Sequence, residues 1–301
     1  MEKAEIKVKD GTFVYRKEKD GIFIERYKGA EAVVSVPSQI EGMTVAVIGK
    51  KAFLSHKKIK KLILPDGIRE IEDWAFARCS SLESIIMPKE ARLGRGLFLE
   101  CGRLKEIRFT KRNGGIEEPL QESIPFLLAA VPTMLDAEYL FVPKEAGTEQ
   151  WLQKWDARML TILRKDDQEG YTKVILCGEE DYGNSPEDYA KEKRKAKVRL
   201  AFLRLLYPYN LSKEVENELK EYLLSHTKGC ETEEAWEVLL LEHGEEADYF
   251  QLFAQIGCVT EENFQGILSD MKEEHAEMKA FFMRYKEENI GYRDVFEDFI
   301  L

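Results

Sequence analysis

Residues 48–70, 71–92 and 93–109 read IGKKAFLSHKKIKKLILPDGIRE, IEDWAFARCSSLESIIMPKEAR and LGRGLFLECGRLKEIRF. Written under one another, they are one pattern three times. Phe53, Phe76 and Phe98 lie 23 and 22 residues apart, and Pro65 and Pro88 lie 23 apart. A period of that size marks a solenoid, because a coil of about 20–25 residues cannot bury its apolar face without a neighbour.

The columns support this reading. Ile48, Ile71 and Leu93 align, as do Ala52, Ala75 and Leu97, then Ile59, Leu82 and Leu104, then Leu62, Ile85 and Ile107, then Leu64, Met87 and Phe109. Each column is apolar in every unit, which only side chains pointing into a shared interior require. The segments Leu62-Ile63-Leu64, Ile85-Ile86-Met87 and Ile107-Arg108-Phe109 are predicted strands. Their first and third residues face inward and the middle one outward. Stacked coil on coil they make a parallel sheet, with Pro65 and Pro88 at the strand exits, where a missing N–H costs little.

These units resemble the BspA-like leucine-rich repeat family, whose pattern runs I-G-x-x-A-F-x-x-C-x-x-L-x-x-I-x-I-P. The matching residues are Ile48-Gly49-Lys50-Lys51-Ala52-Phe53, Ile71 to Leu82 with Ala75, Phe76 and Cys79, and Leu93 to Leu104. Val36-Pro37-Ser38-Gln39-Ile40-Glu41-Gly42-Met43-Thr44-Val45 is similar to that family's opening, and Tyr139 to Ile162, with Trp151 and Trp155, to its closing cap. The resemblance implies a right-handed coil and protein–protein contact, often at bacterial surfaces. It is poor from Thr110 to Ala137.

A partner would touch the outward strand positions: Lys61 and Ile63, Ser84 and Ile86, Glu106 and Arg108. Two isoleucines side by side predict an exposed contact patch. Cys79 and Cys101 share one site in adjacent coils, with His56 there one coil earlier. A disulfide or a metal pair would fit such a column, but so does a ladder of small buried side chains, and two thiols with one imidazole fall short of a closed zinc shell.

Five cysteines without a CxxC, 44% hydrophobic and 34% charged residues describe a reduced globular protein rather than a disulfide framework. The chain opens Met-Glu-Lys-Ala-Glu-Ile-Lys, without the apolar core of a secretory signal, so a cytoplasmic location is the expectation. The net charge of −11 is split. Residues 1–115 hold 24 Lys/Arg against 16 Asp/Glu, a net +8, and residues 116–301 a net −19. That asymmetry favours contact between a basic repeat domain and an acidic helical domain, and disfavours nucleic acid.

The rear half is helical in period. Ser185-Pro186-Glu187-Asp188 begins a helix that ends before Pro208. Ser212, Thr232 and Thr260 are predicted caps of later helices, Asp248 opens another that Gly257 closes, a further one covers about His275–Tyr285, and a short one holds Val295 to Ile300. A short strand is predicted at Lys173–Leu176. Phe250 to Thr260 is similar to the second helix and Gly-Cys turn of an ankyrin-type repeat, though an irregular bundle fits the same pattern.

No P-loop, HExxH or GxSxG motif occurs, and His226 and His243 fall near helix ends, where a cation suits the dipole. Two basic clusters, Lys57, Lys58, Lys60 and Lys61, and Lys191, Lys193, Arg194, Lys195, Lys197 and Arg199, lack interleaved aromatics. The expected fold class is therefore α+β: a short leucine-rich-repeat solenoid with a parallel sheet, then an all-α helical-repeat or bundle domain. Its parts are a repeat domain over 1–164, a linker over 165–184 and a helical domain over 185–301. The expected function is non-enzymatic protein interaction or scaffolding through the repeat surfaces. No cofactor, no metal and no membrane span are expected. The alternative is a binder of nucleic acid or an anionic surface through the Lys/Arg clusters.

Overall fold

The computed structural model of the chain describes residues 3–110, 122–171 and 185–290. The chain divides into two compact units, Met1–Met159 and Leu160–Leu301.

The first unit opens with an antiparallel meander, β1 (Lys3–Val8), β2 (Gly11–Glu18) and β3 (Gly21–Lys28). Its two-residue turns are Lys9-Asp10 and Lys19-Asp20, and the glycine that opens each following strand has a positive φ, 127° at Gly11 and 133° at Gly21. Strand β3 then pairs in parallel with β6 (Met43–Ile48), which pairs with β8 (Glu70–Ile71) and that with β10 (Arg92–Leu93). The meander is thus the closed end of the coil stack, continuing its first sheet. A second, wholly parallel sheet has the order β11 (Glu106–Thr110), β9 (Ser84–Pro88), β7 (Lys61–Ile63) and β4 (Val33–Ser35). Its strands belong to four successive coils.

The first coil is longer than the others. Between Pro37 and Pro65 it fits a small hairpin, β5 (Gln39–Ile40) against the start of β6. Both turn residues, Glu41 and Gly42, have positive φ, 51° and 76°, which suits the right-handed twist of the flanking strands.

Inside the coils a file of rings runs the length of the unit. Tyr27 stacks on Phe53 at 5.2 Å between centroids, Phe53 meets Phe76 at 5.7 Å, Phe76 meets Phe98 at 5.6 Å, and Phe98 meets Phe141 at 5.6 Å. Backbone bonds hold the rings in step: Tyr27 N–H donates to Ala52 O, Phe53 N–H to Ala75 O and Phe76 N–H to Leu97 O, at 2.8–3.2 Å. The inward columns are buried in the first two units, but Leu93 and Phe109 of the third are half-buried. Beyond β11 lies α1 (Ile124–Ala130), and α2 (Glu149–Leu163) follows. Buried Trp151 and Trp155 donate their indole N–H to Leu140 O (2.8 Å) and Leu127 O (3.1 Å), so the closing segment is locked by two satisfied indoles.

The second unit is helical: α3 (Pro186–Leu206), α4 (Lys213–Ser225), α5 (Glu234–Glu242), α6 (Ala247–Ile256), α7 (Glu261–Asp270) and α8 (Ala276–Tyr285). Helix α3 is the shared packing partner of α4, α5 and α6. That arrangement is a bundle around one long helix rather than a stack of equal hairpins. Ser185, Ser212 and Thr260 cap their helices as expected, Ser185 and Thr260 in full capping boxes with Asp188 and Asn263. Gly257 ends α6 in the left-handed conformation, φ 93°.

Two expected starts move. The N-cap of α5 is Glu233, not Thr232, and its carboxylate accepts from the Gly229 N–H and from Lys228 Nζ, both at 2.9 Å. Helix α6 begins at Ala247, one residue before Asp248. The strand expected at Lys173–Leu176 and the helix at Val295–Ile300 lie outside the described residues.

Candidate functional site

The second sheet aligns its outward residues in two rows. One row is Val33, Lys61, Ser84 and Glu106, and the other is Ser35, Ile63, Ile86 and Arg108. The residues just before the strands are held in the same register. Lys60 and Lys61 N–H both donate to Ala32 O, Glu83 and Ser84 N–H to Lys60 O, and Lys105 and Glu106 N–H to Glu83 O, at 2.7–3.1 Å. Each coil therefore presents equivalent positions at the spacing of adjacent strands, about 4.8 Å.

The six residues expected to make contact all lie in these rows, but not all are exposed. Lys61 is exposed, while Ile63, Ser84, Glu106 and Arg108 are half-buried. Ile86 is buried, at 5% exposure. The expected patch of two exposed isoleucines is therefore corrected to one half-buried Ile63 beside a covered Ile86. Ile86 sits on a central strand with Ile63 and Arg108 in register on either side, and side chains of that size cover it. The Arg108 guanidinium is turned toward Glu106, with Nε donating to Oε1 at 2.6 Å, and the carboxylate raises the arginine pKa.

Sequence reasoning missed Val33, half exposed at 50%, and Ser35. Their signal was present: Val34-Ser35-Val36-Pro37 repeats the apolar-x-apolar-Pro of Leu62 to Pro65. The 28-residue step between the two prolines hid it. Both edges of the sheet are occupied. At the β4 edge Asp10 Oδ2 accepts from the Ser35 N–H at 3.1 Å, and at the β11 edge α1 packs alongside. Occupied edges disfavour addition of a partner strand and leave the side-chain face as the usable surface.

The column of His56, Cys79 and Cys101 is a hydrogen-bonded ladder. Cys79 Sγ donates to Phe53 O at 3.1 Å, Cys101 Sγ to Phe76 O at 3.2 Å, and His56 Nε2 lies 3.0 Å from Tyr27 O. Both thiols are free and buried. Burial pushes Cys79 up to about 12 and Cys101 up to about 11, the opposite of a reactive thiolate. Burial likewise lowers the His56 pKa. Among the described residues no group of three His, Cys, Asp or Glu could hold a metal ion, and no helix is long and apolar enough to cross a membrane.

A cleft of about 540 Å³ on the meander is lined by Lys3, Arg16, Phe23, Glu25, Lys28 and Glu72, among others. Its central charges neutralise one another: Glu25 takes Lys3 at 2.6 Å and Arg16 at 2.9 Å, and the Arg16 guanidinium lies 3.4 Å from the Phe23 ring centre. Ion-paired side chains of this kind are poor general acids or bases.

The basic cluster on α3 is largely internal to its own unit. Lys191 meets Glu237 at 2.7 Å, Arg194 meets Glu234 at 2.7 Å and Glu187 at 2.8 Å, Lys197 meets Asp167 at 2.5 Å, and Arg199 makes a two-pronged contact with Glu242 at 2.6 and 2.7 Å. Its positive charge is directed onto the acids of α5 and the segment before α3. His226 and His243 are the C-caps of α4 and α5, each stacked on a tyrosine, Tyr222 and Tyr249.

No curated protein matches the chain. A leucine rich cell surface protein from Faecalibacterium prausnitzii is 24% identical over 34% of this chain and 29% of that one, with a TM-score of 0.30. The T. pallidum leucine rich repeat protein is 26% identical over 35% of this chain and 71% of its own, with a TM-score of 0.25. A leucine-rich repeat protein from Bacteroides ovatus is 28% identical over 34% and 28% of the two chains, with a TM-score of 0.31. This chain thus covers less than a third of the first and third of these proteins. The family model described as "BspA type Leucine rich repeat region (6 copies)" matches residues 35–120. With the coil period, the parallel sheet and the ring file, that match makes residues 35–120 a BspA-type leucine-rich repeat region.

Proposed function

We propose that the protein is a non-enzymatic interaction or scaffold protein that binds another protein through the solvent face of the second sheet. Val33, Lys61, Ile63, Ser84, Glu106 and Arg108 make the contact, and Ile86 is its floor. The observation that carries this reading is the combination of register-aligned outward rows with two closed sheet edges. Such a face is flat, rigid and set by backbone bonds, so a partner meets it without ordering it, which keeps the entropic cost of association low. The half-buried Ile63 beside half-exposed Val33 supplies an apolar centre, and the Lys61 and Arg108 side chains a polar rim.

The test is quantitative affinity capture from native lysate with the full chain and with Val33→Asp/Ile63→Asp. The proteins held by the wild type are expected to be lost from the variant at an unchanged thermal midpoint. An unchanged set of captured proteins overturns the reading. If the variant is less stable, a photo-reactive side chain at Val33 decides: it is expected to crosslink to a captured protein, whereas one at exposed Leu241 does not.

The second reading, binding of nucleic acid or another anionic surface, draws on exposed Lys57, Lys58, Lys60 and Lys61. It predicts a steep loss of binding with salt. The pairing of the α3 cations removes the other half of its support.

A further inference from the structure

On the outer surfaces of the coils, two arginines have acidic partners one coil away. Arg78 meets Glu100 at 3.1 Å and Arg92 meets Glu70 at 2.5 Å, each across 22 residues. The leading edge of the second sheet differs. Lys57, Lys58, Lys61 and Arg103 are exposed, and none has an acidic partner among the described residues. Lys60 has only a distant one, Glu83 at 3.7 Å.

These cations are ordered by the coil. The turns before β7, β9 and β11 close with the same backbone bond, Ile59 N–H to His56 O, Leu82 N–H to Cys79 O and Leu104 N–H to Cys101 O. Lys58, Ser81 and Arg103 therefore occupy equivalent places in successive coils. Two strand spacings separate Lys58 from Arg103, about 10 Å. The middle coil interposes a serine, so no like charge stands between them. The outward rows begin directly behind this edge, with Val33 and Ile63 as their apolar members.

We infer that the protein partner presents an extended acidic segment, which lies across the strands along the solenoid axis with carboxylates on Lys58 and Arg103. This rests on the proposed use of the same face for protein contact. In a polyproline-II conformation residues i and i+3 share a side and stand about 9 Å apart, so an acid-x-x-acid pattern matches the two cations, and an apolar residue of the segment reaches the Val33–Ile63 strip. An acidic polypeptide is favoured over nucleic acid because the edge carries no aromatic side chain for base stacking among Lys57, Lys58, Lys60, Lys61 and Arg103.

The experiment is fluorescence anisotropy on the full chain with a fluorescein-labelled 12-residue peptide bearing glutamate at every third position and one central leucine. Saturable binding at low salt is expected, weakening as salt is added. Lys58→Glu/Arg103→Glu is expected to bind about tenfold more weakly, and Lys58→Gln/Arg103→Gln to fall between. Both residues are exposed, so thermal midpoints stay where they are. Lys7→Glu, a charge reversal on the meander, is expected to change nothing. No binding, undiminished binding by the reversal variant, or tighter binding of a single-stranded DNA 12-mer overturns the inference. If the peptide fails while Val33→Asp/Ile63→Asp still loses captured proteins, the inference falls and the proposed function stands. If neither responds, both fall.

Discussion

The thiol of Cys79 donates to the carbonyl oxygen of Phe53, 26 residues back and one coil below, at 3.1 Å. Cys101 does the same to Phe76 at 3.2 Å. Each of these carbonyls already accepts a backbone N–H within its own turn, Phe53 O from His56 and Phe76 O from Cys79, both at 3.3 Å, and the next coil's thiol fills its second lone pair, which ties successive coils together. The cysteine column is structural, and its place in the pattern follows from the ring file beside it.

Thiol reactivity checks this directly. Burial holds Cys79 and Cys258 up near 12 and Cys101 near 11, so iodoacetamide at pH 8 is expected to leave all three unmodified in the folded protein and to label them in urea. Half-buried Cys230 is expected to react first of these four. Peptide mapping by mass spectrometry reads the order, and early labelling of Cys79 would contradict a closed ladder.

His56 closes the same ladder with a titratable ring, and burial lowers its folded pKa below the ordinary 6.5. Below pH 6.5 the unfolded chain binds the proton more readily than the folded one. Stability from this group is therefore full above pH 6.5 and declines as pH falls toward the folded value. His56→Gln keeps a donor for Tyr27 O without the titration. Urea midpoints at pH 7.5 and 5.5 are expected to fall further for the wild type than for the variant.

Phe76 is fully buried between two rings, 5.7 Å from Phe53 and 5.6 Å from Phe98. Phe76→Ala removes the middle of the file and leaves a cavity that the coils above and below, tied by backbone bonds, cannot close. A loss of about 3–5 kcal/mol is expected in denaturant titration. A loss below about 1 kcal/mol would show that the coils collapse around the gap.

In the helical unit, buried Arg194 and buried Glu234 meet at 2.7 Å, joining α3 to α5. Glu234→Leu alone strands part of a buried cation and is expected to cost about 3 kcal/mol, whereas Arg194→Met/Glu234→Leu together is expected to recover most of that. Thermal or urea unfolding of the two variants decides. Equal losses would show that the remaining contacts of Arg194, with Glu187 and Asp167, matter more than the pair itself.

Much of the solenoid was legible because inward positions obey one rule in every coil. Phe53, Phe76 and Phe98 had to match, since each packs on the last. The meander was legible in principle, through Asp10-Gly11 and Asp20-Gly21 between alternating strands. It escapes a repeat search because it is antiparallel and carries no coil period. Tyr27 escapes for the same reason, though its N–H bonds to Ala52 O as Phe53 bonds to Ala75 O. The helix starts expected at Thr232 and Asp248 moved because the N-caps there, Glu233 and Glu246, make no side-chain bond to their helices, so no capping residue marks them in the sequence.

The sequence by itself determined the coil, its period, its parallel sheet and the rows that face outward, because hydrophobic burial repeats wherever the backbone repeats. Only the tertiary structure decided what those rows expose. Ile86 is covered because it stands on a central strand between Ile63 and Arg108. Lys191, Arg194, Lys197 and Arg199 are neutralised because α5 and the segment before α3 bring acids to them, whereas Lys57, Lys58 and Lys61 stay open because the next coil sets Ser80, Ser81 and Ser84 at their level. Exposure and charge pairing depend on distances between residues far apart in the chain, and one-dimensional pattern does not carry those distances.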